Sequence, residues 1–266
     1  MTRIEQWTRP NIRTLTPYSS AKDEFSGKEA LFLDANENPF GKYNRYPDPQ
    51  QRLLKTVLVK RKTITTNQVF IGNGSDEVID LLLRIFCEPG QDKIGCFKPT
   101  YGMYDVSAAI HNVAVVAAPL DENFDIAKTD LSPILNDPSI KVVFLCSPNN
   151  PTGNDLDYEK MIELIDQFQG IVCVDEAYIE FSKQASLAEL INKYDNLVVT
   201  RTMSKARGLA GARVGYAFAN EAIIQLFNKV KPPYNVSSLN QEQAIDALEN
   251  SANFESQREL LLKERE

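Results

Sequence analysis

Leu197-Val-Val-Thr-Arg-Thr-Met-Ser-Lys-Ala-Arg-Gly-Leu-Ala-Gly-Ala-Arg-Val-Gly-Tyr-Ala-Phe218 reads as an apolar strand, a Gly-rich loop and a second apolar strand. A loop of this composition brings backbone close to an anion, and a second cation, Arg213, is expected on the strand that follows. Lys205 therefore sits beside an anion site, which is what a covalently held phosphorylated aldehyde requires. Its ε-amine can form a Schiff base while Ser204 and Arg213 hold the phosphate. Taken singly, each cation reads as an ordinary solvated charge. The surrounding segments decide between the two readings.

Working outward, apolar strands recur at 68–71, 93–97, 113–118, 141–146, 171–175, 197–201 and 213–218. Helical patterns lie between them at 76–86, 101–111, 156–168 and 221–230. In 157–168, Met161, Ile162, Leu164, Ile165 and Phe168 share one face, as a covering helix requires. This alternation predicts an α/β fold, a three-layer α/β/α large domain around a mostly parallel sheet.

Three further loops each follow an apolar strand. Ile171-Val-Cys-Val-Asp-Glu-Ala-Tyr178 runs a strand into Asp175, and a carboxylate there is either paired, functional or capping the next turn. Against a pyridoxal ring Asp175 would pair with the protonated ring nitrogen, and Tyr178 would hydrogen-bond the 3-oxygen. Leu145-Cys-Ser-Pro-Asn-Asn-Pro-Thr-Gly153 predicts a tight loop holding Asn150, a donor to the same oxygen, although the composition also suits a plain turn. Val69-Phe-Ile-Gly-Asn-Gly-Ser-Asp-Glu77 leads glycines into a helix, where free N–H groups and the macrodipole favour an anion. The charges of Asp76 and Glu77 oppose a phosphate, so backbone N–H donors of Ser75 and Asp76 are expected to serve it. In open α/β sheets ligands bind at the carboxyl ends of strands, where these loops meet.

With these motifs in place, the chain resembles the pyridoxal-phosphate aminotransferases of the aspartate aminotransferase fold. The resemblance rests on Asn150-Pro-Thr-Gly153, Asp175-Glu-Ala-Tyr178, and Ser204-Lys205 with Arg213. Within that class it is similar to the histidinol-phosphate aminotransferases, through Leu33-Asp-Ala-Asn-Glu-Asn-Pro39, Asn44-Arg-Tyr-Pro-Asp-Pro49, Pro99-Thr-Tyr-Gly-Met-Tyr104, Asp175-Glu-Ala-Tyr-Ile-Glu-Phe181 and the Leu15-Thr-Pro-Tyr-Ser-Ser-Ala21 arm. The resemblance implies pyridoxal 5'-phosphate as cofactor and amino transfer between L-histidinol phosphate and 2-oxoglutarate, giving imidazole acetol phosphate and L-glutamate. It also implies that Lys205, Asp175 and Tyr178 are catalytic and that Tyr101 stacks on the ring. Ser75, Asp76, Ser204 and Arg213 would bind the cofactor phosphate. Tyr46 would reach that phosphate from a neighbouring subunit, making a homodimer with a shared site, and Tyr18 would cover the substrate. Threonine-phosphate decarboxylase, another aminotransferase of this fold, and a ligand-sensing aminotransferase-like domain are the alternatives. Arg207 stands where the family is usually apolar and receives no role.

Bulk properties narrow the class. The chain has 266 residues, 43% of them hydrophobic, enough for a large core. Its 29 basic and 36 acidic residues give a net charge of −7 with no basic block, which argues against nucleic acid as main partner. No apolar run approaches the roughly 20 residues that span a bilayer, and the polar N-terminus has no signal-peptide core. Cys87, Cys96, Cys146 and Cys173 lie in apolar segments without metal spacing, as buried thiols of a cytoplasmic protein do. The one histidine, His111, is expected at a surface or boundary, so no metal site is expected. Residues 1–45 read as an N-terminal arm and connecting segment, 46–235 as the cofactor-binding large domain. Residues 236–266 read as the start of a long helix leading to a C-terminal small domain, incomplete in this chain.

Overall fold

In the computed structural model, residues 2–18, 25, 32–33, 35–60 and 62–265 are described, with Ser251 and Ala252 described by backbone alone. Ser19, Ser20 and Ala21 of the arm motif, and Asp34 of the 33–39 motif, lie outside the described residues. Helices α1 (Arg3–Trp7), α2 (Pro10–Thr14) and α3 (Arg52–Val59) precede strand β1 (Val69–Gly72). Then follow α4 (Ser75–Phe86), β2 (Lys93–Lys98), α5 (Met103–Ile110), β3 (Ala114–Pro119), α6 (Ser132–Leu135), β4 (Ile140–Cys146), α7 (Tyr158–Gln167) and β5 (Ile171–Asp175). The chain continues through β6 (Leu197–Thr202), β7 (Gly215–Ala219), α8 (Glu221–Val230), α9 (Ser238–Glu249) and α10 (Ser251–Arg265).

The seven strands form one sheet in the order β1-β7-β6-β5-β4-β2-β3. All neighbours are parallel except β7, which is antiparallel to both β1 and β6. Successive side chains of the central strands alternate between two apolar layers, as a two-residue period requires. Val142, Phe144, Ile171 and Cys173 face one layer, completed by Ile4, Ile12 and residues of α4, α5 and α8. Val143, Leu145, Val172 and Val174 face the other, completed by Leu54 and Leu58 of α3, Met161, Leu164 and Ile165 of α7, and Ala244 of α9. Burial on both faces is why these strands read as unbroken apolar runs. The expected α/β/α arrangement is therefore found.

Two differences from the sequence reading matter. Arg213 is not on a strand. It follows the 3-10 turn Ala210–Ala212 with left-handed backbone (φ 50°, ψ 51°), and β7 begins two residues later, at Gly215. Because β7 runs antiparallel, its beginning lies at the same sheet edge as the ends of β5 and β6, with Thr202 opposite Gly215. The long helix expected to start within 236–266 is divided at Asn250 (φ −82°, ψ 52°) into α9 and α10.

Candidate active site

The carboxyl ends of β4, β5 and β6 and the start of α4 surround a cavity of about 460 Å³, solvent at its mouth included. Of the residues singled out from sequence, Ser75, Asp76, Tyr101, Asn150, Asp175, Tyr178, Ser204, Lys205 and Arg213 all line it. Tyr18 and Tyr46 are not brought there. Tyr18 is largely exposed, and Tyr46 stacks on Tyr234 with ring centroids 4.4 Å apart.

One wall is built to receive an anion. Gly74 caps α4 with φ 77°, and no side chain caps the helix. The N–H groups of Ser75 and Asp76 find no acceptor among the described residues. Arg213 reaches over them, its Nη2 3.1 Å from Asp76 Oδ2. The Tyr101 hydroxyl donates to the other carboxylate oxygen at 3.2 Å, so the Asp76 charge is engaged by side chains while the backbone donors stay open. Burial and the Asp76 charge push the Tyr101 hydroxyl up to about 12. The wall tolerates no bulk at Gly215, where a Cβ would lie 2.3 Å from Gly74 C and Ser75 N.

The same cavity is lined by a carboxylate that has no cation partner among the described residues. Asp175 is 2% exposed. It accepts from the Tyr104 hydroxyl at 2.9 Å and from the Ala177 N–H at 3.1 Å. Burial lifts its carboxyl to about 6, against the lowering effect of those two donors. Its neighbour Glu176, equally buried, shows the contrast: Arg201 Nη2 stands 2.8 Å from Glu176 Oε2. Among the described residues Asp175 has no such ion pair, so it is the carboxylate able to receive an incoming cation. Tyr104 is wholly buried, stacked on Phe144 at 4.6 Å and edge-on to Tyr101 at 5.6 Å.

Lys205 follows the end of β6 in a loop closed by Gly208 N–H to Lys205 C=O at 3.0 Å and Leu209 N–H to Met203 C=O at 3.0 Å. The Lys205 side chain is exposed to the cavity, with Nζ 5.4 Å from the centre of the Tyr178 ring. The Thr202 hydroxyl, 3.0 Å from Ser204 Oγ, braces the turn. Arg207 stacks on Phe254 of α10 at 3.5 Å and donates to Ala247 C=O at 3.3 Å, tying the lysine loop to α9 and α10. In the 145–153 loop the anchored amide is Asn149, which accepts from Thr100 at 2.9 Å and donates to Pro99 C=O at 3.0 Å. Asn150, beside it, is left facing the cavity.

Tyr104, Thr202 and Asn149 were not singled out from sequence. Tyr104 follows Tyr101 by three residues, one helical turn, and that spacing was the available signal. Thr202 and Asn149 carried none beyond adjacency to Ser204 and Asn150. All four cysteines are buried free thiols, and Cys146, at the cavity floor, is pushed up to about 12 by burial and the Asp175 charge. His111 lies away from the cavity lining, at the end of α5 with its Nε2 2.6 Å from Asp80 Oδ1.

The chain belongs to the class I and II aminotransferases, whose family model matches residues 23–266. Within that class it groups with the histidinol-phosphate aminotransferases. It is 47% identical over 270 residues to the enzyme of that name from Cytophaga hutchinsonii, covering 99% of this chain and 77% of that protein. The Bacteroides thetaiotaomicron protein of the same name is 49% identical over 268 residues, covering 100% of this chain and 77% of the relative. The solved histidinol-phosphate aminotransferase of Clostridium acetobutylicum superposes with a TM-score of 0.74 at 29% identity, covering 84% of this chain and 66% of that one. An aspartate aminotransferase of Thermus thermophilus shares the fold, with a TM-score of 0.71 at 19% identity over 82% of this chain and 61% of that one. Among the described residues no helix is long and apolar enough to cross a membrane.

Proposed function

We propose that this chain acts as a pyridoxal-phosphate-dependent aminotransferase of histidine biosynthesis, exchanging the amino group of L-histidinol phosphate with 2-oxoglutarate to give imidazole acetol phosphate and L-glutamate. The observation that supports the reading is the cavity lining, which combines open anion donors, a buried carboxylate without a cation partner among the described residues, and a lysine. Relatives named histidinol-phosphate aminotransferase support the substrate, and a Sinorhizobium meliloti neighbour of that name was solved with pyridoxal-5'-phosphate.

The residues fit that cofactor. Ser75 and Asp76 N–H groups, Ser204 and Arg213 would hold its phosphate, Asp175 its protonated ring nitrogen, Asn150 and Tyr178 its 3-oxygen, and Tyr101 one ring face. When bound, the group supplies an aldehyde carbon for amine exchange and an electron-withdrawing ring. With the group bound, Lys205 Nζ would be the amine that holds it, and once freed it would carry the proton from substrate Cα. Asp175, whose anionic form Tyr104 and Ala177 favour by donating to it, would keep the proton on the ring nitrogen. Arg213, paired with Asp76 at 3.1 Å, would also donate to the phosphate.

Tyr46 and Tyr18 would complete the site from outside the cavity, Tyr46 across a homodimer and Tyr18 over the substrate, in a cytoplasmic enzyme. The prolines around Tyr46 favour extended backbone there, and the residue is about half exposed with its ring resting on Tyr234. Treating the protein with pyridoxal phosphate and then borohydride should leave a stable adduct that peptide mapping places on Lys205. Lys205→Ala should abolish the adduct and reduce turnover with histidinol phosphate by more than the roughly 10²–10⁴-fold that acid–base help alone supplies. An adduct on another lysine would overturn the assignment, and carbon dioxide release from threonine phosphate would select the decarboxylase instead.

A further inference from the structure

A second cleft, of about 890 Å³ with open solvent included, opens between α3, the 66–68 turn and α8, and it shares no lining residue with the first cavity. Lys55 lines it from the buried face of α3, between the core residues Leu54 and Leu58. This lysine is only 5% exposed. Among the described residues its ammonium has no hydrogen-bond or ion-pair partner. A lysine this buried is ordinarily paired or reaches water along its stem.

The nearby charges do not satisfy it. Asp48 is committed to Arg52, accepting from its guanidinium at 2.6 Å and from its backbone N–H at 2.8 Å. Lys231 adds a like charge and is itself 7% exposed, its ammonium donating to Pro232 and Pro233 C=O. Glu221, across the cleft on α8, accepts from the side-chain amides of Asn67 at 3.3 Å and Gln225 at 3.4 Å. A second polar group is left open in the same place, because Asn228 Oδ1 is buried with no partner. The amide's two ends exchange by a half-turn about its last torsion, so the same group can present N–H to an anion. Burial, with Lys231 beside it, lowers the Lys55 amine to about 8, the sign of a cation that lacks its counter-charge.

We infer that this cleft is a binding site for a small oxyanion, a phosphate or carboxylate group, held by the Lys55 ammonium and the Asn228 amide with Arg52 at its rim. Lys55 supplies the desolvated charge, and Asn228 supplies a neutral donor that fixes orientation. Glu221 opposes an anion, and its engagement by Asn67 and Gln225 keeps it on the α8 side. The site is independent of the proposed reaction. It therefore stands or falls separately from Lys205.

Inorganic phosphate and succinate, titrated calorimetrically into the cofactor-loaded protein, provide the test, since the cofactor fills the anion donors of the first cavity. Saturable binding of one probe is expected, with affinity reduced at least tenfold in Lys55→Gln and unchanged or raised in Glu221→Gln. Which probe saturates separates the phosphate source from the carboxylate source. Peptide-mapped acylation locates the effect: Lys55 should react readily and be protected by the bound probe. No saturable binding of either probe, or equal binding in Lys55→Gln, would overturn the inference.

Discussion

Asp175→Asn should make the cofactor-free protein more stable, and by an amount that depends on pH. Burial raises the Asp175 carboxyl from the usual 3.8 to about 6. A carboxyl with a raised folded-state pKa binds its proton more tightly in the folded chain than in the unfolded one. Its stability contribution is therefore greatest in acid and is lost as pH rises from about 4 to about 6. At about 1.36 kcal/mol per pH unit, the charged form costs the folded protein about 3 kcal/mol above that window. The side chain is fully buried, so solvent screening does not reduce the figure. Asn removes the charge but has a single oxygen for the Tyr104 hydroxyl and the Ala177 N–H, which returns about 1 kcal/mol of lost hydrogen bonding. The net gain is about 2 kcal/mol at pH 8. At pH 4.5 the charge penalty is smaller by about 2 kcal/mol, so the gain should vanish. Urea unfolding of the cofactor-free wild type and variant at the two pH values measures this. An identical difference at both would mean that Asp175 is not charged and strained at neutral pH, and the electrostatic reading of the site would fail. The cofactor-loaded proteins should reverse the order, because the variant lacks the charge that pairs with the ring nitrogen.

Two more outcomes follow from the same site. Tyr104→Phe removes a donor to a buried carboxylate, worth about 1.5–3 kcal/mol, so the pH below which cofactor affinity falls should rise by about one to two units; an unchanged pH profile would reduce Tyr104 to a packing residue. In a heterodimer of Lys205→Ala subunits with Tyr46→Phe subunits, the site that keeps Lys205 receives an intact Tyr46 and should retain cofactor like the wild type. A cofactor-retention defect at that site, of the size one hydrogen bond brings, about 0.5–1.5 kcal/mol, would place Tyr46 within its own subunit.

Much of the architecture was legible because both faces of the sheet are buried. Runs such as Val142–Leu145 and Ile171–Val174 announce themselves by apolar content, and their observed edges fall within a residue or two of those read from sequence. The same property hides direction, since a strand buried on both sides carries no periodic mark of which way it runs. That is why the reversal of β7 was not read, and why Arg213 was expected on a strand. The cavity residues were found through loop chemistry, with Gly, Pro, Asn and charge at strand ends. Tyr104 escaped because its hydroxyl works from inside the core, where an aromatic residue looks like packing. Asn250 carries no Pro or Gly beside it, so nothing local foretold the division of α9 from α10.

The reversed strand also sets when the site can come into being. Among the described residues the β1 edge finds its partner only in β7, with Val69 opposite Phe218 and Gly72 opposite Gly215, so the floor beneath the α4 N-terminus is contributed by chain made long after α4 itself. During synthesis the stretch through β5 can gather its parallel strands early, but β1 must wait, unpaired, for β6 and β7 to arrive. Pairing so distant in sequence is slow to nucleate. Anion capture by the Ser75 loop is therefore a late event, and a ligand held there stabilises only chains whose central sheet has closed.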